Sequence, residues 1–281
     1  MQLTNYIAFR NDYRKHGIEY ATERSARLGF DSVEFLDLCP TESCIPESIN
    51  ASDVRHVCEQ NGVKVACYSL GADLLVNDHA ELKRQLCRQI DFAADIGSPF
   101  FHHTLVMSLI PDPRVPSYEA IFDSIVEMAV WIAKRCDLYK LTCLYEPQGM
   151  YFNGVDGLKR LFERVRQECS NVAICGDVGN SLFVDVSANE IYDTFVDSIR
   201  HVHVKDFQVS DQPFESGICF RSRSGKFLRE CELGQGIVDF SYCFQKLKEQ
   251  NYQGAVSFEL DGDDSTLLKA VKLVRSFSNN I

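Results

Sequence analysis

The stretch HAELKRQLCRQIDFAADIG (79–97), followed almost at once by PFFHHTLV (99–106), shows the pattern that decides the fold. In the first segment apolar residues recur three to four positions apart, which predicts an amphipathic helix. The second segment is short and rich in aromatic and aliphatic residues, which predicts a buried strand. A helix that leads directly into a strand is one half of a repeated strand–helix unit.

The same alternation runs along the whole chain. The eight predicted strands cover residues around 3–8, 31–38, 63–70, 99–106, 141–146, 172–177, 201–206 and 255–260. The other helical patterns are GIEYATERSARLGF (17–30), ASDVRHVCEQNG (51–62), PSYEAIFDSIVEMAVWIAKRCDLY (116–139) and FSYCFQKLKEQNYQG (240–254). Repeated units of this kind predict a parallel sheet covered by helices.

The number of strands selects between two α/β architectures. An open doubly wound sheet is possible, but eight strands favour closure into a barrel. We therefore predict a single-domain (β/α)8 TIM barrel over residues 1–281, an ordinary length for this fold. The stretch 207–236 is predicted to be irregular, and such segments are often functional lids.

Composition excludes several classes of protein. The formal net charge of −11 opposes binding to phosphate backbones, so we expect no nucleic-acid partner. No apolar stretch approaches the roughly 20 residues that cross a bilayer, and the first residues lack the pattern of a secretory signal. The 12 cysteines include no CxxC pair, so we expect reduced, mostly buried thiols in a cytoplasmic protein with no membrane partner.

Reactive side chains are concentrated at the ends of the later strands. Strands five to eight end in Glu146, Asp177, His203 and Glu259. In a (β/α)8 barrel the C-terminal ends of the strands form the active site together. Side chains alternate between the two faces of a strand, so Lys205 is expected to face the barrel mouth beside His203.

Three carboxylates and one imidazole make an oxygen-rich ligand set. This set suits Mn²⁺ or Mg²⁺, and less exclusively Co²⁺ or Zn²⁺. Without a cation, three converging carboxylates would repel one another strongly. We therefore predict one divalent metal, with Mn²⁺ favoured. The alternative is that each acid forms a separate structural ion pair.

Five segments of the chain resemble the sugar phosphate isomerase/epimerase family of xylose-isomerase-like TIM barrels. This family includes ketose 3-epimerases, inosose dehydratases and, more distantly, endonuclease IV. The segments are LYEP (144–147), GDVGN (176–180), HVHVKD (201–206), LGQGIVDF (233–240) and SFEL (257–260). The resemblance covers the whole chain and is sharpest from about 140 to 260.

The resemblance implies a role for each strand-end residue. Glu146, Asp177, His203 and Glu259 match the metal ligands of the family. In its epimerases the two glutamates also face opposite sides of the substrate, where one removes a proton beside a carbonyl and the other returns one. A metal that polarises the carbonyl stabilises the enediolate, and a carboxylate can transfer the proton. A small carbohydrate substrate and a homo-oligomer are also implied.

Two positions depart from the epimerase pattern. Asn180 stands where these enzymes usually carry a histidine, and Val209 where they often carry an arginine. Asn180 is predicted to contact the substrate. Arg221 and Arg223, in RSRSGK (221–226), are candidates for binding a substrate phosphate or carboxylate, with a solvated basic loop as the alternative.

Four further features of the sequence bear on the site. Two of them, His102 and Lys205, each have two interpretations, and the other two are interpreted as structural. Alternation places His102 at the mouth, as a substrate contact or proton shuttle, or else as a packed histidine. Lys205 is expected either to hydrogen-bond the substrate or to pair with a carboxylate. Glu34 is interpreted as structural. The glycines of LGQGIVDF are interpreted as turn residues, because the Lys-Ser/Thr of a P-loop is missing.

The leading functional hypothesis is a metal-dependent isomerase or epimerase of a sugar or sugar derivative, with Glu146 and Glu259 as catalytic residues. The alternative is a lyase or dehydratase on a keto-sugar or keto-inositol, which begins with the same proton abstraction. An endonuclease of the endonuclease IV type needs a metal cluster and more histidines than the 7 present. A barrel that binds without catalysis is disfavoured by the presence of all four ligands.

Overall fold

The computed structural model describes residues 1–38, 44–109, 117–149 and 151–279. Eight parallel strands pair in chain order, and the last pairs with the first to close a barrel. They are β1 (Gln2–Asn5), β2 (Ser32–Leu38), β3 (Lys64–Gly71), β4 (Phe100–His103), β5 (Thr142–Tyr145), β6 (Val172–Asp177), β7 (Ile199–Val204) and β11 (Ala255–Phe258). The predicted single-domain (β/α)8 barrel is confirmed.

Helices surround the barrel. They are α1 (Ile7–His16), α2 (Ile18–Arg27), α3 (Ile45–Ser48), α4 (Ala51–Asn61), α5 (His79–Asp95), α6 (Tyr118–Asp137), α7 (Val155–Arg166), α8 (Ala188–Phe195), α9 (Phe240–Glu249) and α10 (Asp264–Asn279). A 3₁₀ helix (Asn180–Val184) follows β6, and another (Val196–Ser198) precedes β7. Within the described residues, no helix combines the length and apolar character needed to cross a bilayer.

The stretch after β7 is ordered, contrary to the prediction of an irregular segment at 207–236. It holds a three-stranded antiparallel sheet of β8 (Asp206–Ser210), β9 (Cys219–Arg221) and β10 (Phe227–Cys231), in the order β8-β10-β9. Phe207 packs edge-on against Phe183, with ring centroids 5.7 Å apart. The sheet therefore lies against the segment that follows β6.

The first strand is shorter than predicted. It ends at Asn5, and α1 begins at Ile7. The Asn5 side chain accepts a hydrogen bond from the Phe9 backbone N–H at 3.1 Å and donates one to Ser25 Oγ at 2.9 Å. These bonds turn the chain into a helix whose Ala8 and Phe9 are buried, so this apolar run is a helix face rather than a strand.

Two apolar regions hold the barrel together. The larger lies between strands and helices. The smaller fills the barrel interior with the side chains of Cys67, Leu144, Ala173, Cys175 and the half-buried Phe100. Small apolar side chains thus close the inside of the barrel, and polar side chains occupy the layer towards the C-terminal strand ends. The cysteines of the described residues are free thiols, and eight of the eleven are buried.

Candidate metal centre

His203 lies at the centre of the polar layer. Its Nδ1 atom is 3.2 Å from Glu146 Oε2 and 3.7 Å from Glu259 Oε2. Glu146 directly follows β5 and Glu259 directly follows β11. Strands β6 and β7 separate these two strands in the barrel wall, so the carboxylates approach His203 from different directions.

Asp177, the last residue of β6, completes the group. Its Oδ1 atom accepts backbone hydrogen bonds from Gly179 at 2.8 Å and Asn180 at 2.6 Å, which fix the carboxylate. Its Oδ2 atom accepts no hydrogen bond from the part of the chain that the structure describes, although Lys205 Nζ lies 3.2 Å away. One lone-pair-bearing oxygen is thus available to a cation. We call Glu146, Asp177, His203 and Glu259 the His203 cluster.

The His203 cluster fits a divalent metal. Candidate ligand atoms of Asp177, His203 and Glu259 all lie within 4.8 Å of one another, and so do those of Glu146, Cys175 and His203. Both triplets share His203. Carboxylate oxygens with one imidazole nitrogen are the donors that Mg²⁺, Mn²⁺ and Zn²⁺ accept. The structure therefore brings the four predicted ligands to one place.

Lys205 directly follows β7, and its side chain points to the same side of that strand as His203. Its ammonium is 2.7 Å from Glu259 Oε2 and donates a hydrogen bond to Asn180 Oδ1 at 2.8 Å. Burial lowers the pKa of Lys205, but Asp177 and Glu259 raise it more, so the net pKa lies above its ordinary value. Lys205 therefore stays charged and pairs with carboxylates, which was one of its two predicted roles.

The two glutamates have opposite electrostatic environments. Burial acts to raise the pKa of Glu146, but His102 and His203 outweigh it and hold that pKa well below its ordinary range. Burial raises the pKa of Glu259 to about 7, although Lys205 opposes the shift. In the metal-free protein Glu146 is thus ionised at neutral pH, whereas Glu259 is divided between two protonation states.

His102 faces the cluster, as strand alternation predicted. Its Nδ1 atom is 2.9 Å from Ser69 Oγ, and its Nε2 atom lies 3.2 Å from Glu146 Oε1, at ion-pair distance. The neighbouring His103 points to the other side of β4 and contacts the Tyr145 ring, with centroids 5.4 Å apart. His102 is therefore placed to steady Glu146.

Sequence analysis missed the partners beneath His203. Glu34 Oε1 is 3.0 Å from His203 Nε2, and Glu34 Oε2 is 2.7 Å from His201 Nε2. The Tyr6 ring also packs against His203, with centroids 4.9 Å apart. The only sequence signal for Glu34 was a charged residue within the mostly apolar strand SVEFLDL, which does not reveal a partner so far along the chain.

Arg221 and Arg223 lie apart from the cluster. The Arg221 guanidinium stacks over the Phe227 ring at 4.5 Å from its centroid. The Arg223 backbone N–H donates to Phe183 O at 2.8 Å, and Arg223 lines a groove together with Gly154. Within the described ranges, no recorded contact joins either arginine to the His203 cluster. Their role in substrate binding stays a prediction.

Asp206 organises the glycine-containing turn after β10. Its carboxylate accepts hydrogen bonds from the backbone N–H groups of Gly234 at 2.9 Å, Gly236 at 2.8 Å and Val238 at 3.2 Å. It also accepts one from the Phe207 N–H at 2.9 Å. Asp206 begins β8 and does not end β7, contrary to the predicted strand 201–206. The turn interpretation of LGQGIVDF agrees with these contacts.

Comparison with solved structures identifies many proteins of similar fold. A xylose isomerase domain protein from Planctomyces limnophilus has a TM-score of 0.76 at 17% identity, over 99% of this chain and 97% of that one. D-allulose 3-epimerase from Methylomonas sp., in complex with D-allulose, has a TM-score of 0.76 at 16% identity, over 98% and 96%. An IolI protein with a bound zinc atom has a TM-score of 0.73 at 16% identity, over 100% and 97%.

At these identities the structural likeness establishes the fold alone. No curated protein matches the chain in sequence. The model of the xylose isomerase-like TIM barrel family, however, matches residues 22–277, which is most of the chain. The chain therefore belongs to the xylose isomerase-like TIM barrel family.

Proposed function

We propose that the protein is a divalent-metal-dependent isomerase or epimerase of a sugar or sugar derivative. The observation that carries this proposal is the convergence of the His203 cluster at the C-terminal ends of four consecutive barrel strands. Active sites of (β/α)8 enzymes lie at this end. A structural neighbour with D-allulose bound supports a carbohydrate substrate.

Glu146, Asp177, His203 and Glu259 would hold the metal, and Mn²⁺ is the ion we favour. Two solved proteins of similar fold contain magnesium and zinc, which supports a divalent cation here without favouring one metal. When bound, the metal would supply Lewis-acid chemistry, which would make a carbon-bound proton beside a substrate carbonyl more acidic.

The two glutamates would move the proton. Glu146 and Glu259 reach the centre from strands that two others separate, so their carboxylates can address opposite faces of one carbon. One carboxylate would remove the proton and the other would return it to the opposite face. His102 would orient Glu146, while Lys205 and Asn180 would contact substrate oxygens. Arg221 and Arg223 are candidates for an anionic group on a larger substrate.

The test combines a metal measurement with isotope exchange. The purified protein is loaded with Mn²⁺ and incubated in deuterium oxide with ketoses, their phosphates and a keto-inositol. We expect solvent deuterium beside the carbonyl of at least one compound, without loss of water. Release of water would instead identify a lyase. A protein that binds no divalent metal, or whose loaded form exchanges no carbon-bound proton in any compound, contradicts the proposal.

Two variants and one control assign the proton transfer. Glu146→Gln and Glu259→Gln should each lower the exchange rate by about 10²–10⁴-fold, as expected when a general acid–base group is lost. Glu168→Gln removes an exposed carboxylate that pairs with Lys134 and should leave exchange unchanged. Equal exchange in all three variants would contradict the assigned roles.

We also propose a cytoplasmic location, because the described cysteines are free thiols and such thiols are typical of reducing compartments. Assembly into a homo-oligomer is a further proposal, which sedimentation of the purified protein tests directly.

A further inference from the structure

A fully buried carboxylate lies directly beneath the His203 cluster. Glu34, on β2, has no exposed side-chain surface. Four side chains surround it: the rings of His201 and His203 and the hydroxyls of Ser69 and Ser257, both of which donate hydrogen bonds to it. An unpaired buried charge costs several kcal/mol, so a carboxylate with four polar partners is a built feature of the barrel.

The two ring nitrogens of His203 have different partners. Nε2 is 3.0 Å from Glu34 Oε1, whereas Nδ1 faces Glu146 Oε2 at 3.2 Å and Glu259 Oε2 at 3.7 Å. A neutral imidazole carries one N–H donor and one lone pair. An ionised carboxylate only accepts hydrogen bonds, so Glu34 favours the proton on Nε2. The lone pair then lies on Nδ1, towards the centre of the cluster.

We infer that Glu34 is the positioning residue for the metal: it holds the Nε2–H of His203 and so fixes Nδ1 as the ligand nitrogen. The inference rests on the proposed function, because it assigns His203 to a metal. Histidine ligands commonly donate their second N–H to a carboxylate in this way, and loss of that carboxylate typically weakens metal binding about 10–100-fold.

The surroundings of Glu34 hold it in one orientation. Ser69, His201 and Ser257 come from the three strands β3, β7 and β11, so the carboxylate is tied to separate parts of the barrel wall. Ser69 Oγ also lies 2.9 Å from His102 Nδ1, and His102 in turn approaches Glu146. The same buried network therefore reaches a second proposed ligand.

The test measures Mn²⁺ affinity by calorimetry for the wild type, Glu34→Gln and Asp37→Asn. Glutamine keeps the size of Glu34 but presents an N–H where an acceptor is needed. The Kd of the Glu34→Gln protein for Mn²⁺ should therefore be about 10–100-fold higher than that of the wild type. Asp37 is a matched control, because it is a buried carboxylate on the same strand that accepts from Ile45 N and Tyr68 OH instead. Asp37→Asn should change the Kd by less than about threefold.

A second measurement needs no variant to fold. In the zinc-loaded wild type with nitrogen-15-labelled histidine, the His203 signals should show zinc on Nδ1 and a slowly exchanging proton on Nε2. Zinc on Nε2, or a Glu34→Gln protein that binds Mn²⁺ as tightly as the wild type, overturns the inference alone. A wild type that binds no divalent metal overturns the proposed function, and the inference with it.

Discussion

Replacing Lys205 with methionine removes the only ammonium group in contact with the His203 cluster among the described residues. The side chain is buried, and its Nζ atom lies 2.7 Å from Glu259 Oε2 and 3.2 Å from Asp177 Oδ2. Methionine keeps most of the length of the apolar stem but carries no charge. The variant therefore leaves the carboxylates in place without their nearest cation.

The expected loss follows from the geometry. Two unit charges about 3 Å apart attract by about 5 kcal/mol at an effective dielectric constant near 20. Desolvation of the ammonium offsets much of this attraction, and removal of one partner from a buried pair typically costs about 3–5 kcal/mol. At about 2–4 °C per kcal/mol, the melting temperature of the metal-free protein should fall by about 10 °C.

Calorimetric melting is measured first with EDTA and then with Mn²⁺. The first measurement reports the loss of the Lys205 ion pairs in the metal-free protein, and the second reports how much bound Mn²⁺ compensates for that loss. The variant site has lost one positive charge, so Mn²⁺ should bind at least as tightly and should reduce the difference in Tm between the variant and the wild type. Lys134→Met is the control: its ammonium lies 2.9 Å from Glu168, but the two side chains are 58% and 37% exposed. Such a surface pair is worth about 1 kcal/mol or less.

Two results would refute this reasoning. One is a metal-free Lys205→Met protein that melts within about 2 °C of the wild type, which is the range expected for the exposed control. The other is a difference in Tm that widens when Mn²⁺ is added. Either would mean that the ammonium does not neutralise the carboxylates in the absence of metal.

Three further predictions concern the segments that frame the site. Gly236→Ala should cost about 1–3 kcal/mol in urea unfolding, because its Cβ would overlap Asp206 Oδ1. Gly154→Ala should cost no more than about 0.5 kcal/mol, because its Cβ would make only an ordinary van der Waals contact, 3.6 Å from Val184 Cγ2. Asp206→Asn should cost about 1–3 kcal/mol, because an amide N–H would face backbone N–H groups; an unchanged unfolding free energy would count against that network. Partial burial raises the pKa of Asp185, but hydrogen bonds from the Ser224 and Ser222 hydroxyls lower it to below the ordinary value. The stabilisation that the ionised Asp185 gives the folded protein is therefore present above about pH 4 and is lost as the pH falls further. In Asp185→Asn the free energy of unfolding should decrease less steeply over this acidic range.

The fold could be predicted from the sequence because strand–helix alternation is visible in each unit. The apolar run at 7–9 was misassigned, since a short apolar segment suits a strand or one helix face equally well. The bonds that decide for a helix involve Asn5 and Ser25, which are 20 residues apart. The strands β8, β9 and β10 were missed because three to five residues are too few for a clear periodic pattern.

One rule predicts that the four residues of the His203 cluster lie close together: the C-terminal ends of the parallel strands meet at one end of the barrel. The position of Glu34 had no such rule behind it. Its strand contains two acids three residues apart, Glu34 and Asp37, which alternation places on opposite faces. Because both are buried, only the contacts across the barrel, to histidines more than 160 positions along the chain, distinguish the interior acid from the exterior one.

Irregular strand pairing separates the helix-facing core from the deeper polar layer of Glu34 and His201. On β6 and β7, Ile174 pairs with Ile199 but Cys175 pairs with His201, so Arg200 is an extra residue. That residue lets Ile199 pack outwards into the helix-facing core while His201 points inwards. A regular β7 would place Ile199 and His201 on one face, and either the core would lose Ile199 or Glu34 would lose its histidines. The bulge therefore reconciles packing on the outside of the barrel with the polar layer inside it.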